Sequence, residues 1–165
     1  MKTAICPGSF DPVTHGHLDI IRRAASMFDR VVVVVMTNST KVPLFTKEER
    51  MDFLRRATFG LDNVEVDNYG GLLAEYARLR DAAVIVKGLR AMSDFEYEFQ
   101  MALTNRKLNP AVETVFLTTT ADHMYLSSSL VKQVAGLGGD ITGFVPECIR
   151  GDIMDKIGKD GQYDG

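Results

Sequence analysis

The chain has 165 residues, the length of about one domain, and a domain of that size removes roughly 68–70% of its unfolded surface from water. Hydrophobic residues at 45% and charged residues at 25% are the proportions of a folded globular protein, which excludes a disordered tail, a collagen-like fibre and a disulfide scaffold. Nineteen Lys and Arg against 22 Asp and Glu leave a formal net charge of -3, so the basic field of a nucleic-acid binder is missing and any anionic ligand must be met locally.

In chain order, short β-branched runs alternate with helical stretches. A first strand is predicted over Thr3–Cys6, followed by a turn-rich loop and a helix from about Gly16. On that helix Leu18, Ile21, Ala25 and Phe28 share one stripe, with Arg22 and Arg23 turned away. Arg30–Met36 reads as a strand buried on both faces, which implies a parallel sheet. Thr46-x-x-Glu49 is a capping box opening the next helix, and Val64–Val66 and Ala83–Val86 are further strands. Ser93-x-x-Glu96 reads as a second capping box, opening a helix to Asn109. That helix is apolar on more than one side (Phe95, Tyr97, Phe99, Met101, Ala102, Leu103), more than one sheet can cover, so a subunit interface is expected there. A strand over Thr114–Leu117 and helices over Ser128–Ala135 and Pro146–Ile157 complete the pattern. Residues 158–165, with three glycines and no periodicity, read as a frayed tail, leaving 1–157 as a single domain.

This alternation, with right-handed crossovers, predicts an α/β fold: a doubly wound, Rossmann-like parallel sheet of five strands with helices on both faces. Cys6 and Cys148 are far apart in sequence with no Cys/His cluster, which predicts neither a zinc site nor a disulfide and fits a reducing cytoplasm. No apolar run exceeds the six residues Val31 to Met36, so no membrane association is expected.

Ligands of such sheets bind outside the carboxyl ends of the strands. The loop after the first strand, Pro7-Gly8-Ser9-Phe10-Asp11-Pro12-Val13-Thr14-His15-Gly16-His17, enters a helix and has the makings of a phosphate site, with His17 at the positive end of the dipole and Ser9 across the cleft. The bland reading is a tight turn in which His17 only caps the helix. After the fourth strand, Lys87-Gly88-Leu89-Arg90 places two cations at a carboxyl edge, and after the fifth the run from His123 through Met124, Tyr125 and Leu126 to Ser127, Ser128 and Ser129 brings three hydroxyls to a helix start, a second anion cradle. Lys41, after Asn38, Ser39 and Thr40, is a third cation on the same rim. There is no G-x-x-x-x-G-K-[ST], no strand-following G-x-G-x-x-G and no G-x-S-x-G, which sets aside Walker ATPases, dinucleotide dehydrogenases and nucleophile-elbow hydrolases.

These segments together, P-G-S-F-D-P-x-T-x-G-H, the Lys41 loop with Phe45-Thr46-x-Glu48-Glu49-Arg50, Lys87-Gly88-Leu89-Arg90 with Asp94-Phe95-Glu96-Tyr97-Glu98, and Leu126-Ser127-Ser128-Ser129, resemble bacterial phosphopantetheine adenylyltransferases over roughly residues 2–157. The T/H-x-G-H motif alone marks the wider nucleotidyltransferase superfamily. The resemblance implies transfer of the adenylyl group of ATP to 4′-phosphopantetheine, giving dephospho-coenzyme A and pyrophosphate, with Mg2+ and a hexameric assembly. By residue it implies ATP contacts at Ser9, Phe10, His17, Gly88, Leu89, Arg90, Glu98 and the stretch His123, Met124, Tyr125, Leu126, Ser127, Ser128 and Ser129. It implies acceptor contacts at Ser9, Lys41, Leu73 and Lys87, with His17 stabilising the transition state. Ser9 stands where Thr is common, Lys87 where Arg is common and His123 where another aromatic is often seen.

Direct attack by an acceptor phosphate needs no covalent enzyme intermediate, so His17, Lys41 and Arg90 are the expected catalytic set, aligning two polyanions and stabilising charge. No carboxylate cluster suggests a protein-held metal; Asp11 is the nearest carboxylate, and Mg2+ is expected to ride mainly on the substrate phosphates. The rival readings are a related enzyme using nicotinamide mononucleotide or a sugar-alcohol phosphate as acceptor, and a nucleotide-binding sensor without turnover.

Overall fold

In the computed structural model, which describes residues 1–37 and 40–159 apart from the side chains of Met92, Ser93 and Lys159, five strands form one parallel sheet. They are β1 (Thr3–Gly8), β2 (Arg30–Met36), β3 (Val64–Tyr69), β4 (Val84–Leu89) and β5 (Glu113–Thr118), in the order β3-β2-β1-β4-β5. The helices are α1 (His15–Met27), α2 (Lys47–Ala57), α3 (Leu73–Leu79), α4 (Met92–Leu108), α5 (Ser128–Gly136) and α6 (Glu147–Lys159), with a 3-10 turn at Ala121–His123.

Strand alternation divides the core between the two faces of the sheet. Ala4, Cys6, Val31, Val33 and Val35 pack with Leu18 and Ile21 of α1, Phe53 of α2, Val131 of α5 and Ile149 and Ile153 of α6. Ile5, Val32, Val34 and Ile85 pack on the other face with Tyr76 and Ala77 of α3. The doubly wound expectation therefore holds, and Val31–Val35 is buried on both sides as its composition requires.

Several boundaries differ from the sequence reading. The strands run further at their carboxyl ends: Pro7 and Gly8 still pair with Val34 and Val35, and Lys87, Gly88 and Leu89, read as a loop, pair with Phe116, Leu117 and Thr118. Polar residues and glycine end the apolar run there but do not end the ladder. The helix α4 starts at Met92 behind Ala91, which makes no side-chain cap, so Ser93 lies within the first turn and is not an N-cap. The helix α3 carries no capping signature, since its N-cap is Leu72, and the sequence reading has no helix there. The helix α6 continues through Gly158 to Lys159, two residues into the segment read as tail; 160–165 lie outside the described residues.

The β1–β4 pairing positions the site. Only Ala4 with Val84 and Ile5 with Ile85 are in register, after which the two strands part. This is the point where the sheet reverses its winding, β1 being followed on one side by β2 and on the other by β4, and a crevice opens there.

Candidate active site

The crevice is a cleft of about 350 Å³ whose floor is Cys6, Pro7 and Gly8 of β1 and Val86, Lys87 and Gly88 of β4. Its glycines allow close packing: a Cβ on Gly88 would stand 2.9 Å from Ile20 Cγ1, and one on Gly8 would stand 3.0 Å from the Phe10 ring. Phe10 has φ of 48° and is buried, with its ring edge-on to His17 at 5.1 Å between centroids. The guanidinium of buried Arg50, on α2, donates to the Ser9 carbonyl at 2.9 Å and so braces this strained turn.

His17 is the third residue of α1 and is fixed at both ends of its backbone-side contacts. The Thr14 N–H donates to His17 Nδ1 at 3.0 Å, while the His17 N–H donates to Thr14 Oγ1 at 3.3 Å. This is a capping box in which His replaces the usual Glu or Gln. Because a backbone N–H can only donate, Nδ1 accepts and the proton of the neutral ring sits on Nε2. Burial, then the charges of Arg90 and Lys87, push the His17 pKa down to about 4, so the ring is neutral at physiological pH. His17 thus caps the helix and also lines the cleft.

Two helix N-termini open on the cleft. In the first turn of α1, His15 N–H donates to the Phe144 carbonyl and His17 N–H is capped, leaving Gly16 N–H without an acceptor among the described residues. At α5, Ser127 is the N-cap, its Oγ accepting from Leu130 N–H, and Ser128 Oγ donates to the Pro12 carbonyl at 2.7 Å, tying α5 to the first loop. Of the three hydroxyls, Ser127 serves as the N-cap that one serine had to supply, Ser128 is engaged with the first loop, and Ser129 is exposed outside the cleft lining. What the α5 start does offer is the N–H groups of Ser128 and Ser129, which have no acceptor among the described residues.

Arg90 is oriented by Asp94, its Nε donating to Oδ2 at 3.3 Å, and by the Leu126 carbonyl, which accepts from Nη1 at 3.1 Å. Lys87 Nζ faces Glu98 Oε1 at 3.4 Å. These two residues also line a second cavity of about 100 Å³, with Leu73, Ile85, Tyr97, Met101 and Asn105 on its other sides. His123 lines the main cleft opposite, its ring stacked on His15 at 6.3 Å and its Nδ1 3.1 Å from Thr120 Oγ1.

Asp11 is a poor metal candidate. It is buried, accepts from Leu44 N–H at 3.0 Å and Phe45 N–H at 2.9 Å, and pairs with Lys132 Nζ at 2.9 Å, so most of its lone-pair sites are taken. Its work is to moor the segment between β2 and α2, which carries Lys41, to the first loop. Among the described residues no group of three or more His, Cys, Asp or Glu is placed to hold a metal. Buried Cys6 is inert, its thiol pushed up to about 12 chiefly by burial and opposed by Lys87.

Ser9, Phe10, His17, Lys87, Gly88, Arg90, Glu98, His123, Leu126, Ser127 and Ser128 therefore meet around the main cleft. Leu73 lies on the second cavity, while Lys41, Leu89, Met124, Tyr125 and Ser129 line neither. Asn38 and Ser39, beside Lys41, lie outside the described residues. Sequence reasoning missed the roles of Thr14, Arg50 and Asp94. Thr14, three residues before His17, carried a signal as the first half of a capping box; Asp94, four residues after Arg90, carried one as an ion-pair spacing. Arg50 carried none.

The chain matches the cytidylyltransferase-like family model over residues 5–134. It is 55% identical over 159 residues to the phosphopantetheine adenylyltransferase of Caldanaerobacter subterraneus subsp. tengcongensis, covering 96% of this chain and 99% of the relative. The phosphopantetheine adenylyltransferase of Alkaliphilus metalliredigens is 58% identical over 149 residues, covering 90% and 95%. Among solved structures, the nicotinic acid mononucleotide adenylyltransferase of Plasmodium falciparum superposes with a TM-score of 0.69 over 99% of this chain and 98% of its own, at 14% identity, a likeness of fold alone.

Proposed function

The chain belongs to the phosphopantetheine adenylyltransferase family, and on that premise we propose how its cleft performs the family reaction. The enzyme transfers the adenylyl group of ATP to 4′-phosphopantetheine, yielding dephospho-coenzyme A and pyrophosphate. In our reading the nucleotide lies in the main cleft against His17, Arg90 and the start of α5, with Phe10, Gly88, Leu89, Glu98 and the 123–129 stretch around it. The pantetheine arm extends into the smaller cavity beside Leu73, and the acceptor phosphate lies between Ser9, Lys41 and Lys87.

The observation that carries this reading is His17: a neutral imidazole with its proton on Nε2, at a helix N-terminus in the sheet's switch-point crevice. An acceptor phosphate oxygen attacks the α-phosphorus of ATP, the α–β bridging bond breaks, and its electrons leave with pyrophosphate. No side chain need become covalently attached. The Nε2–H meets charge growing on the α-phosphoryl oxygens, and the free amides of Gly16, Ser128 and Ser129 add fixed dipoles aimed at phosphate. Arg90, held in orientation by Asp94, balances the leaving pyrophosphate.

Both carboxylates lining the cleft already face cations, Asp94 with Arg90 and Glu98 with Lys87, so the residues present suit a Mg2+ ion carried mainly on the phosphates better than a protein-built cage. Such an ion would supply further neutralisation of phosphate charge. The exposed rings of Phe95, Tyr97 and Phe99 and the side chain of Leu103 along α4 support a homo-oligomer, a hexamer by family likeness. The reading also makes the enzyme cytoplasmic, where the free thiols Cys6 and Cys148 would stay reduced.

Pyrophosphate release tests the assignment. ATP with 4′-phosphopantetheine is expected to give turnover, while nicotinamide mononucleotide or glycerol phosphate in its place gives none. Faster release with either alternative acceptor would replace the substrate, and ATP binding with no release under any acceptor would make the protein a sensor.

A further inference from the structure

Among the described residues only two, Lys87 and Glu98, line both cavities, and they pair with each other across the boundary. Lys87 projects from β4 and Glu98 from α4, so the pair joins the sheet edge to the helix at the partition between the two spaces. As a partly exposed contact at 3.4 Å it adds little to stability. Its position is more informative than its strength. An ammonium at this partition is the attractive group for an incoming phosphate, yet it is shared with a carboxylate that repels the same phosphate. A ligand hydroxyl or amine donating to Glu98 would draw off that carboxylate's charge and release Lys87.

We propose that the Lys87–Glu98 ion pair couples the two substrate pockets, nucleotide binding at Glu98 releasing Lys87 to the acceptor phosphate so that each substrate strengthens the other. This rests on the placement of nucleotide and acceptor given above. By linkage the effect is reciprocal, and for a partly exposed pair it belongs at the small end of such couplings, on the order of fivefold.

The experiment is calorimetric titration of the full-length protein with 4′-phosphopantetheine, alone and with saturating α,β-methylene ATP, whose α–β bridge cannot be cleaved. In the parent protein the analogue should lower the acceptor Kd about fivefold. In Glu98→Gln the acceptor alone should bind more tightly than in the parent, and the effect of the analogue should largely vanish. Lys87→Met should weaken acceptor binding and lose the coupling, while Lys87→Arg, which keeps the charge, should retain it; these two carry the test if Glu98→Gln does not fold. Coupling of parental size in Lys87→Met, or no coupling in the parent protein when both ligands bind, overturns the proposal. Failure of the parent protein to bind either ligand overturns the functional assignment instead.

Discussion

The Thr14 backbone N–H donates to Nδ1 of His17 at 3.0 Å, and this one bond sets which nitrogen of the ring can act on a substrate. With Nδ1 engaged as acceptor, Nε2 carries the proton whatever else occupies the cleft. Thr14→Ala removes only the hydroxyl half of the cap. It should lower stability by about 1 kcal/mol, read by denaturant unfolding, while leaving kcat within a few-fold of the parent because the bond to Nδ1 comes from the backbone.

The His17 titration has a definite sign. Its pKa falls from 6.5 to about 4 on folding, so between those values the unfolded chain binds the extra proton. The stability contributed by the neutral ring is complete above pH 6.5 and is lost as pH falls toward 4. NMR titration of the imidazole should show no protonation of His17 from neutral pH down to near that limit, and kcat should show no acid limb from this residue there. A midpoint close to 6.5 would contradict the burial and charge argument.

Arg90→Ala should weaken ATP binding more than acceptor binding, since it removes a guanidinium that can meet phosphate directly. Asp94→Asn should give a smaller effect in the same direction, because it loosens the Nε contact but leaves the bond from Nη1 to the Leu126 carbonyl. Isothermal titration with ATP, then with 4′-phosphopantetheine, separates the two. Equal losses for both ligands would count against the placement.

Asp11→Asn leaves the half-buried Lys132 without its ionic partner and should cost on the order of 2–3 kcal/mol in stability. Denaturant unfolding measures it. If instead the variant is stable and the Mg2+ dependence of turnover changes, Asp11 has a role in metal binding that its present contacts do not suggest.

The central strand Val31–Val35 and the Thr46 capping box were legible because their chemistry admits one local solution: continuous burial for the first, a reciprocal pair of hydrogen bonds for the second. The clustering of Ser9, His17, Lys87 and Arg90 was legible because a parallel sheet brings its carboxyl ends to one edge. The α3 helix was not, since seven residues behind an uncapped Leu72 are held by packing of Ala74, Tyr76 and Ala77 and not by local signals. Nor were the bracing contact from Arg50 to Ser9 and the mooring of Asp11 by Leu44, Phe45 and Lys132, which join residues 33 or more apart in the chain. The three serines show the limit from the other side: a serine N-cap is a local signal and Ser127 supplies it, but the tertiary bond from Ser128 to the Pro12 carbonyl has no local signal.

Lys41 and His17 should fail differently. Lys41 is exposed on the segment that Asp11 moors, and holds the acceptor phosphate in both ground and transition states in this account. Lys41→Ala should therefore raise the acceptor KM as well as slow turnover, read from steady-state kinetics with the acceptor varied.

The most direct measurement is His17→Ala, assayed for pyrophosphate release at saturating substrates and for ATP affinity by titration. A donor that acts on charge appearing only as the α–β bond breaks contributes to the transition state alone. In His17→Ala kcat should fall by on the order of 10²–10³ with ATP affinity nearly unchanged. A variant that turns over normally at saturation but binds ATP poorly would contradict it, making His17 a ground-state ligand and helix cap.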